Sequence, residues 1–152
     1  MGKLKEMLTK DTIALNQSAK DWEEAVKVGS KLLVNVGVVK ESYIDAIIEC
    51  THENGPYYVM APGLAMPHAR PEAGVIKTGF SLITLDKPVE FGHEGNDPVD
   101  TLITLAAEDN ESHMEAIQEV VMLFSDEEAF ETIRNAEDIQ EVLDLLNEGG
   151  FK

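Results

Sequence analysis

Apolar positions along this chain follow a helical period first, a strand period in the middle and a helical period again at the end. Trp22, Ala25, Val26, Gly29, Leu32, Leu33 and Val36 recur at the spacing of one helix face, and Asp21 followed by Glu24 reads as the capping box that starts it. The helix ends near Gly37. A second helix over roughly Glu41 to Thr51 turns Tyr43, Ile44, Ile47 and Ile48 inward and stops before Asn54-Gly55-Pro56. Tyr57 to Met60 then reads as a short strand. Two β-rich runs follow: TGFSLITL from Thr78 to Leu85, bounded by Gly74 and by Asp86-Lys87-Pro88, and VDTLITLAA from Val99 to Ala107. The second is the more continuously apolar, as an interior strand covered on both faces must be. Between them lies the turn-rich EFGHEGNDP.

After the second run Ser112 with Glu115 suggests another capping box, and Met114, Ile117, Val120, Val121 and Phe124 fall on one stripe. Ser125 with Glu128 opens a short helix. Ile139, Val142, Leu143 and Leu146 define a last one, closed by Gly149-Gly150. Helices before, between and after strands predict an α/β fold, a three-layer α/β/α sandwich with a mixed central sheet flanked by helices. The 152 residues make a single domain, 1–152, and the strand order is not readable from the pattern.

Composition narrows the setting. With 43% apolar and 27% charged residues and no apolar run near the ~18 residues of a membrane span, the chain reads as a soluble, cytoplasmic protein without membrane insertion. Its start, MGKLKEMLTKDT, lacks the apolar stretch of a secretory signal. The single cysteine, Cys50, excludes an internal disulfide and reads as a small buried helix residue. Twenty-nine acidic against 12 basic residues give a formal charge of −17, a field that repels nucleic acid and anionic lipid and favours a basic partner.

Candidate chemistry centres on APGLAMPHARPEAGV, Ala61 to Val75, where His68 stands among three prolines and two glycines. Pro67 fixes its own φ and Pro71 biases Arg70 toward extended geometry, so the segment reads as a stiff surface loop displaying an imidazole. His113 falls in the first turn of the helix that leaves the second β-rich run, where strand ends and free helix N–H groups converge in α/β proteins. Zinc chemistry would draw on His52 and His93 as further ligands, or on His68, His113 and His93 in a hydrolase, but no HExxH spacing is present. A GxSxG elbow and a phosphate loop with lysine are also missing. Covalent catalysis by histidine fits better, with Leu64, Ala65, Met66 and Ala69 as an apolar collar on which a partner docks. His93 reads as a solvated loop residue and Trp22 as core.

These residues carry a family likeness. GLAMPHARPEAGV, FSLITLDKPVEFG and NDPVDTLITLAAEDNESHMEAI resemble the enzyme IIA domain of the bacterial phosphoenolpyruvate-dependent sugar phosphotransferase system, of the mannitol and fructose type, and GPYYVMAPGLAMPHARPE is similar to its ascorbate-specific members. The resemblance implies a phosphotransferase in which His68 accepts a phosphoryl group from the carrier HPr and passes it to a cysteine of a IIB component that works with a membrane IIC. It implies His113 as the second active-site histidine; no cofactor is expected, and no metal. The same resemblance leaves open a regulatory, nitrogen-type IIA and a homodimer. Mannitol-type members carry an arginine in the helix before the active histidine, whereas this chain reads IIECTHENG; His52 and Arg70 are the candidates to replace it, and Leu64 and Met66 to contact the phosphoryl group or a partner.

Overall fold

Side chains alternate along the two long strands, and that alternation places an apolar core on each face of one sheet. A computed structural model describes residues 7–148 of the chain. In chain order the elements are β1 (Ile13–Gln17), α1 (Trp22–Asn35), α2 (Glu41–Asn54), β2 (Val59–Ala61), β3 (Leu64–Ala65), a 3-10 turn (Pro71–Ala73), β4 (Gly79–Val89), β5 (Val99–Ala106), α3 (Asn110–Ser125), α4 (Glu127–Asn135) and α5 (Ile139–Glu148). The sheet order is β1-β4-β5-β3-β2, so β5 lies at its centre. Strands β1 and β4 pair parallel, as do β3 and β5, while β4 with β5 and β2 with β3 are antiparallel. The sheet is therefore mixed, and the fold is the α/β arrangement expected from the sequence.

Phe80 and Leu82 of β4 join Leu64, Ile103 and Leu105 on one face, packed against Val120, Leu123, Ile133, Val142 and Leu146 of α3, α4 and α5. Ile83, Leu85, Leu102 and Ala106 point the other way, onto Ala25, Val26, Leu33, Tyr43 and Ile47 of α1 and α2. Each such Leu or Ile, fully buried, contributes roughly 1.5–3 kcal/mol of transfer free energy. Helix α1 approaches the sheet closely because residue 29 is glycine: the Ser81 hydroxyl donates to Gly29 O at 2.7 Å, and a β-carbon there would stand 2.8 Å from Thr104 Oγ1.

Local expectations are corrected in several places. Strand β4 runs on through Asp86-Lys87-Pro88 to Val89. Its partner β1 pairs no further than Leu85, so Pro88 removes no needed donor. The expected strand at Tyr57 begins only at Val59, because Tyr57 N–H turns back to Gly55 O at 2.9 Å. Leu64–Ala65, expected within a surface loop, is a buried strand, and Pro67 after it is buried too. Helix α3 is capped by Asp109, whose carboxylate accepts from Ser112 N, so Ser112 lies inside the first turn. Its buried stripe is Ala116, Val120, Leu123 and Phe124, with Met114 and Val121 facing out. Asp126, not Ser125, caps α4. The closing Gly149-Gly150 lies outside the described residues.

Candidate active site

The segment that carries His68 is laid down as an extension of the sheet. Leu105 N–H donates to Pro67 O at 3.0 Å, which continues the parallel β3–β5 pairing past the last residue of β3, and Met66 N–H donates to Tyr58 O at 2.9 Å on the antiparallel β2 side. Pro67 has no N–H to satisfy, so it costs nothing there. Ala69 N–H donates to the Tyr43 hydroxyl at 3.0 Å, and that hydroxyl donates in turn to Leu105 O at 2.7 Å. Tyr43 is buried, and burial raises its phenol to about 12, so it remains a donor. His68 thus leaves the sheet at the carboxyl end of β5, where α3 starts.

His113 stands in that first turn, its N–H bonded to Asp109 O at 3.0 Å, and its ring centroid lies 5.0 Å from that of His68. His68 Nδ1 is 2.8 Å from Met66 O. A carbonyl oxygen only accepts, so Nδ1 carries the proton and Nε2 keeps its lone pair. Burial holds the His68 pKa below its ordinary value, opposed by the Met66 hydrogen bond and helped by the nearby His113. The imidazole is therefore neutral and nucleophilic near neutral pH.

The two rings face a cavity of about 410 Å³ that is also lined by Cys50, Asn54, Tyr57, Arg70, Asp109 and Asn110. Of the residues singled out in the sequence for the site, His68, His113, Arg70 and the collar residue Ala69 meet here. His52 stacks edge-on to Trp22 at 5.1 Å and lies 3.4 Å from Glu23, and it does not line the cavity. Leu64, Ala65 and Met66 are core residues, 2%, 0% and 3% exposed, so these three members of the collar offer a partner no surface, while the fourth, Ala69, is half-buried and lines the cavity; Met66 acts through its carbonyl. His93 is half-buried, its Nδ1 accepting from Asn96 N, and it orders its own turn. Trp22 is half-buried between Phe91 and His52.

Sequence reasoning missed Cys50, Asn54 and Tyr57. Cys50 is half-exposed at the cavity, not a buried filler, and Asn54 follows it by one helical turn. That spacing of four was readable, but which face of α2 looks toward His68 depends on where β3 runs. Among the described residues no group of three or more His, Cys, Asp or Glu is placed to hold a metal ion. No helix among them is long and apolar enough to cross a membrane.

Residues 6–149 match the family model described as phosphoenolpyruvate-dependent sugar phosphotransferase system, EIIA 2. The chain belongs to this family. The ascorbate-specific PTS system EIIA component of Escherichia coli strain K12 is 53% identical over 147 residues, 95% of this chain and 96% of the relative. Among solved structures, the mannitol-specific cryptic phosphotransferase enzyme IIA of Escherichia coli superposes with a TM-score of 0.86 at 42% identity, covering 97% of this chain and 99% of that one. The complex of enzyme IIAMTL and phosphorylated enzyme IIBMTL from Escherichia coli gives 0.81 at 29% identity, over 93% and 99%. As an EIIA component of a sugar phosphotransferase system, the chain sets two adjacent imidazoles, one with a free Nε2, at the end of its central strand.

Proposed function

We propose that this EIIA chain is a cytoplasmic phosphocarrier: His68 takes a phosphoryl group from phosphohistidine on HPr and hands it to a cysteine of a IIB component, for uptake of ascorbate or a related acid sugar through a membrane IIC. The observation that carries the reading is His68 itself, with Nδ1 held by Met66 O at 2.8 Å and the His113 ring 5.0 Å away. Nε2 attacks phosphorus while the donor's N–P bond breaks; later a IIB thiolate attacks and the Nε2–P bond breaks in turn. In between, the phosphorylated ring keeps its Nδ1 proton and carries positive charge, which the Met66 carbonyl accepts as a stronger hydrogen bond.

His113 and Arg70 are assigned to the phosphoryl oxygens, each supplying N–H donors from the cavity wall. Arg70 takes the part of the arginine that mannitol-type members hold in the preceding helix. His52, turned to Trp22 and Glu23, takes none. Partner docking falls to exposed apolar side chains rather than to the buried Leu64, Ala65 and Met66. Met114 follows His113 and is 56% exposed, Val121 and Met122 lie further along α3, and the exposed Tyr57 lines the cavity. With the −17 charge around them, they suit a partner with a basic, partly apolar face.

The ascorbate assignment leans on the 53% identical relative from Escherichia coli. It is tested by adding the phosphorylated protein to an ascorbate-type IIB and, separately, to a mannitol-type IIB. The phosphoryl group is expected to pass to the first at least about ten-fold faster, a difference of about 1.4 kcal/mol in the barrier. Equal rates, or preference for the second, would move the substrate class.

A further inference from the structure

The main chain of all four consecutive residues from Met66 to Ala69 is hydrogen-bonded, and at Met66, Pro67 and Ala69 a partner is a buried group of the sheet or of Tyr43. At His68 the partner is not buried. His68 O accepts from the hydroxyl of Tyr57 at 3.2 Å, and Tyr57 is 48% exposed at the cavity opening. A tyrosine so placed has water for its hydroxyl, yet this one spends it on the main chain of the candidate nucleophile. Its ring also stands edge-on to the His68 imidazole, centroids 5.5 Å apart and planes at 89°.

The bond belongs to a chain whose direction is fixed at both ends. Asn54 Nδ2 only donates, and it lies 3.4 Å from Cys50 Sγ; Cys50 Sγ is 3.5 Å from Tyr57 Oη; His68 O only accepts. Tyr57 has one hydroxyl proton, and that proton goes to His68 O. The thiol proton of Cys50 then goes to Tyr57 Oη, and an Asn54 N–H goes to the sulfur. Burial and the Cys50 contact both push the Tyr57 phenol above its ordinary value, which keeps it a donor. The turn that presents Tyr57 is equally fixed, since Gly55 takes φ 79° and Tyr57 N–H bonds back to Gly55 O.

We propose that Tyr57 is a positioning residue for phosphoryl transfer: its hydroxyl, aligned by Cys50 and Asn54, locks the His68 backbone, and its ring walls the imidazole so that Nε2 faces the cavity and His113. This inference rests on His68 being the phosphoryl acceptor, and it is chosen to be testable apart from that.

The experiment compares the full-length wild type with Tyr57→Phe and Cys50→Ala. Long-range ¹H–¹⁵N spectra report the His68 tautomer without any phosphoryl donor, and rapid-quench phosphorylation by phospho-HPr reports kcat and KM. In Tyr57→Phe the Nδ1–H tautomer is expected to lose its dominance and kcat to fall about ten-fold with KM unchanged, since small misplacements of a nucleophile cost that much or more. Cys50→Ala should show the same changes to a smaller extent, with thermal melting of both variants close to wild type. A His68 spectrum unchanged in Tyr57→Phe overturns the proposal, whatever the rate does. A lower kcat with that unchanged spectrum would mean that Tyr57 touches the partner or the phosphoryl group directly. Wild type that accepts no phosphoryl group would sink the phosphocarrier reading, and the spectra would still decide whether Tyr57 positions the ring.

Discussion

At His68 burial and the neighbouring His113 act on one imidazole against the Met66 hydrogen bond. Removal from water lowers its pKa, the Met66 carbonyl raises it, and burial is the larger. NMR titration is therefore expected to place the His68 midpoint below 6.5. The linkage has a definite sign. The unfolded chain protonates first as pH falls through 6.5, so it binds more protons there than the folded one, and stability declines down to the folded midpoint and no further. Above 6.5 the group contributes no slope. His68→Gln removes this dependence, so its melting temperature should fall less than that of wild type as pH is lowered from above 6.5 to below it; equal falls would contradict the burial argument. His113→Ala removes one N–H donor from the assigned phosphoryl site and should slow phosphoryl uptake about 100-fold with little change in melting. The two histidines were legible as candidates because proline and helix-start signals surround them. Tyr57 and Asn54 were not, since nothing local says which residues face His68 across a gap that tertiary packing closes.

Among the elements, caps separate the two levels of reading most sharply. The sequence offers Ser125 with Glu128 as the start of α4, but the structure gives the cap to Asp126, whose carboxylate accepts from Glu128 N at 3.0 Å and Ala129 N at 3.1 Å. Ser125 instead donates to Val121 O at 2.6 Å, finishing α3. Asp126→Ala should cost about 1 kcal/mol in chemical denaturation and Ser125→Ala much less. The reverse order would restore the sequence reading. Where the period was long and clean, as in α1, it located the helix: Asp21 accepts from Glu24 N at 2.9 Å, although Glu24 reaches back to Lys20 N rather than to Asp21 N. Short segments fared worse. Leu64–Ala65 is two residues long, and only its partners, Thr101 and Leu102 on β5 and the antiparallel β2, make it a strand. β4 outran its expected end because Asp86, Lys87 and Pro88 are exposed beyond the reach of β1, where turn-forming residues are tolerated.

On the scale of the whole molecule, three layers were legible because helices flank the strands in sequence, while the order β1-β4-β5-β3-β2 was not, since pairing is set by contacts far apart along the chain. That order matters for function: it puts β5 at the centre, and the ends of β5 and β3 deliver His113 and His68 to the same edge. The −17 charge acts at this scale as well. Phosphoryl transfer from a basic donor measured below saturation should slow as salt rises, because screening shortens the reach of the field to about 10 Å at 0.1 M. A rate indifferent to salt would remove charge from the account of docking. The most direct test of the central claim is intact-protein mass after incubation with phosphoenolpyruvate, enzyme I and HPr, for wild type and His68→Ala. The account predicts one acid-labile phosphoryl group on wild type and none on the variant. An unlabelled wild type, or a labelled His68→Ala, would contradict it.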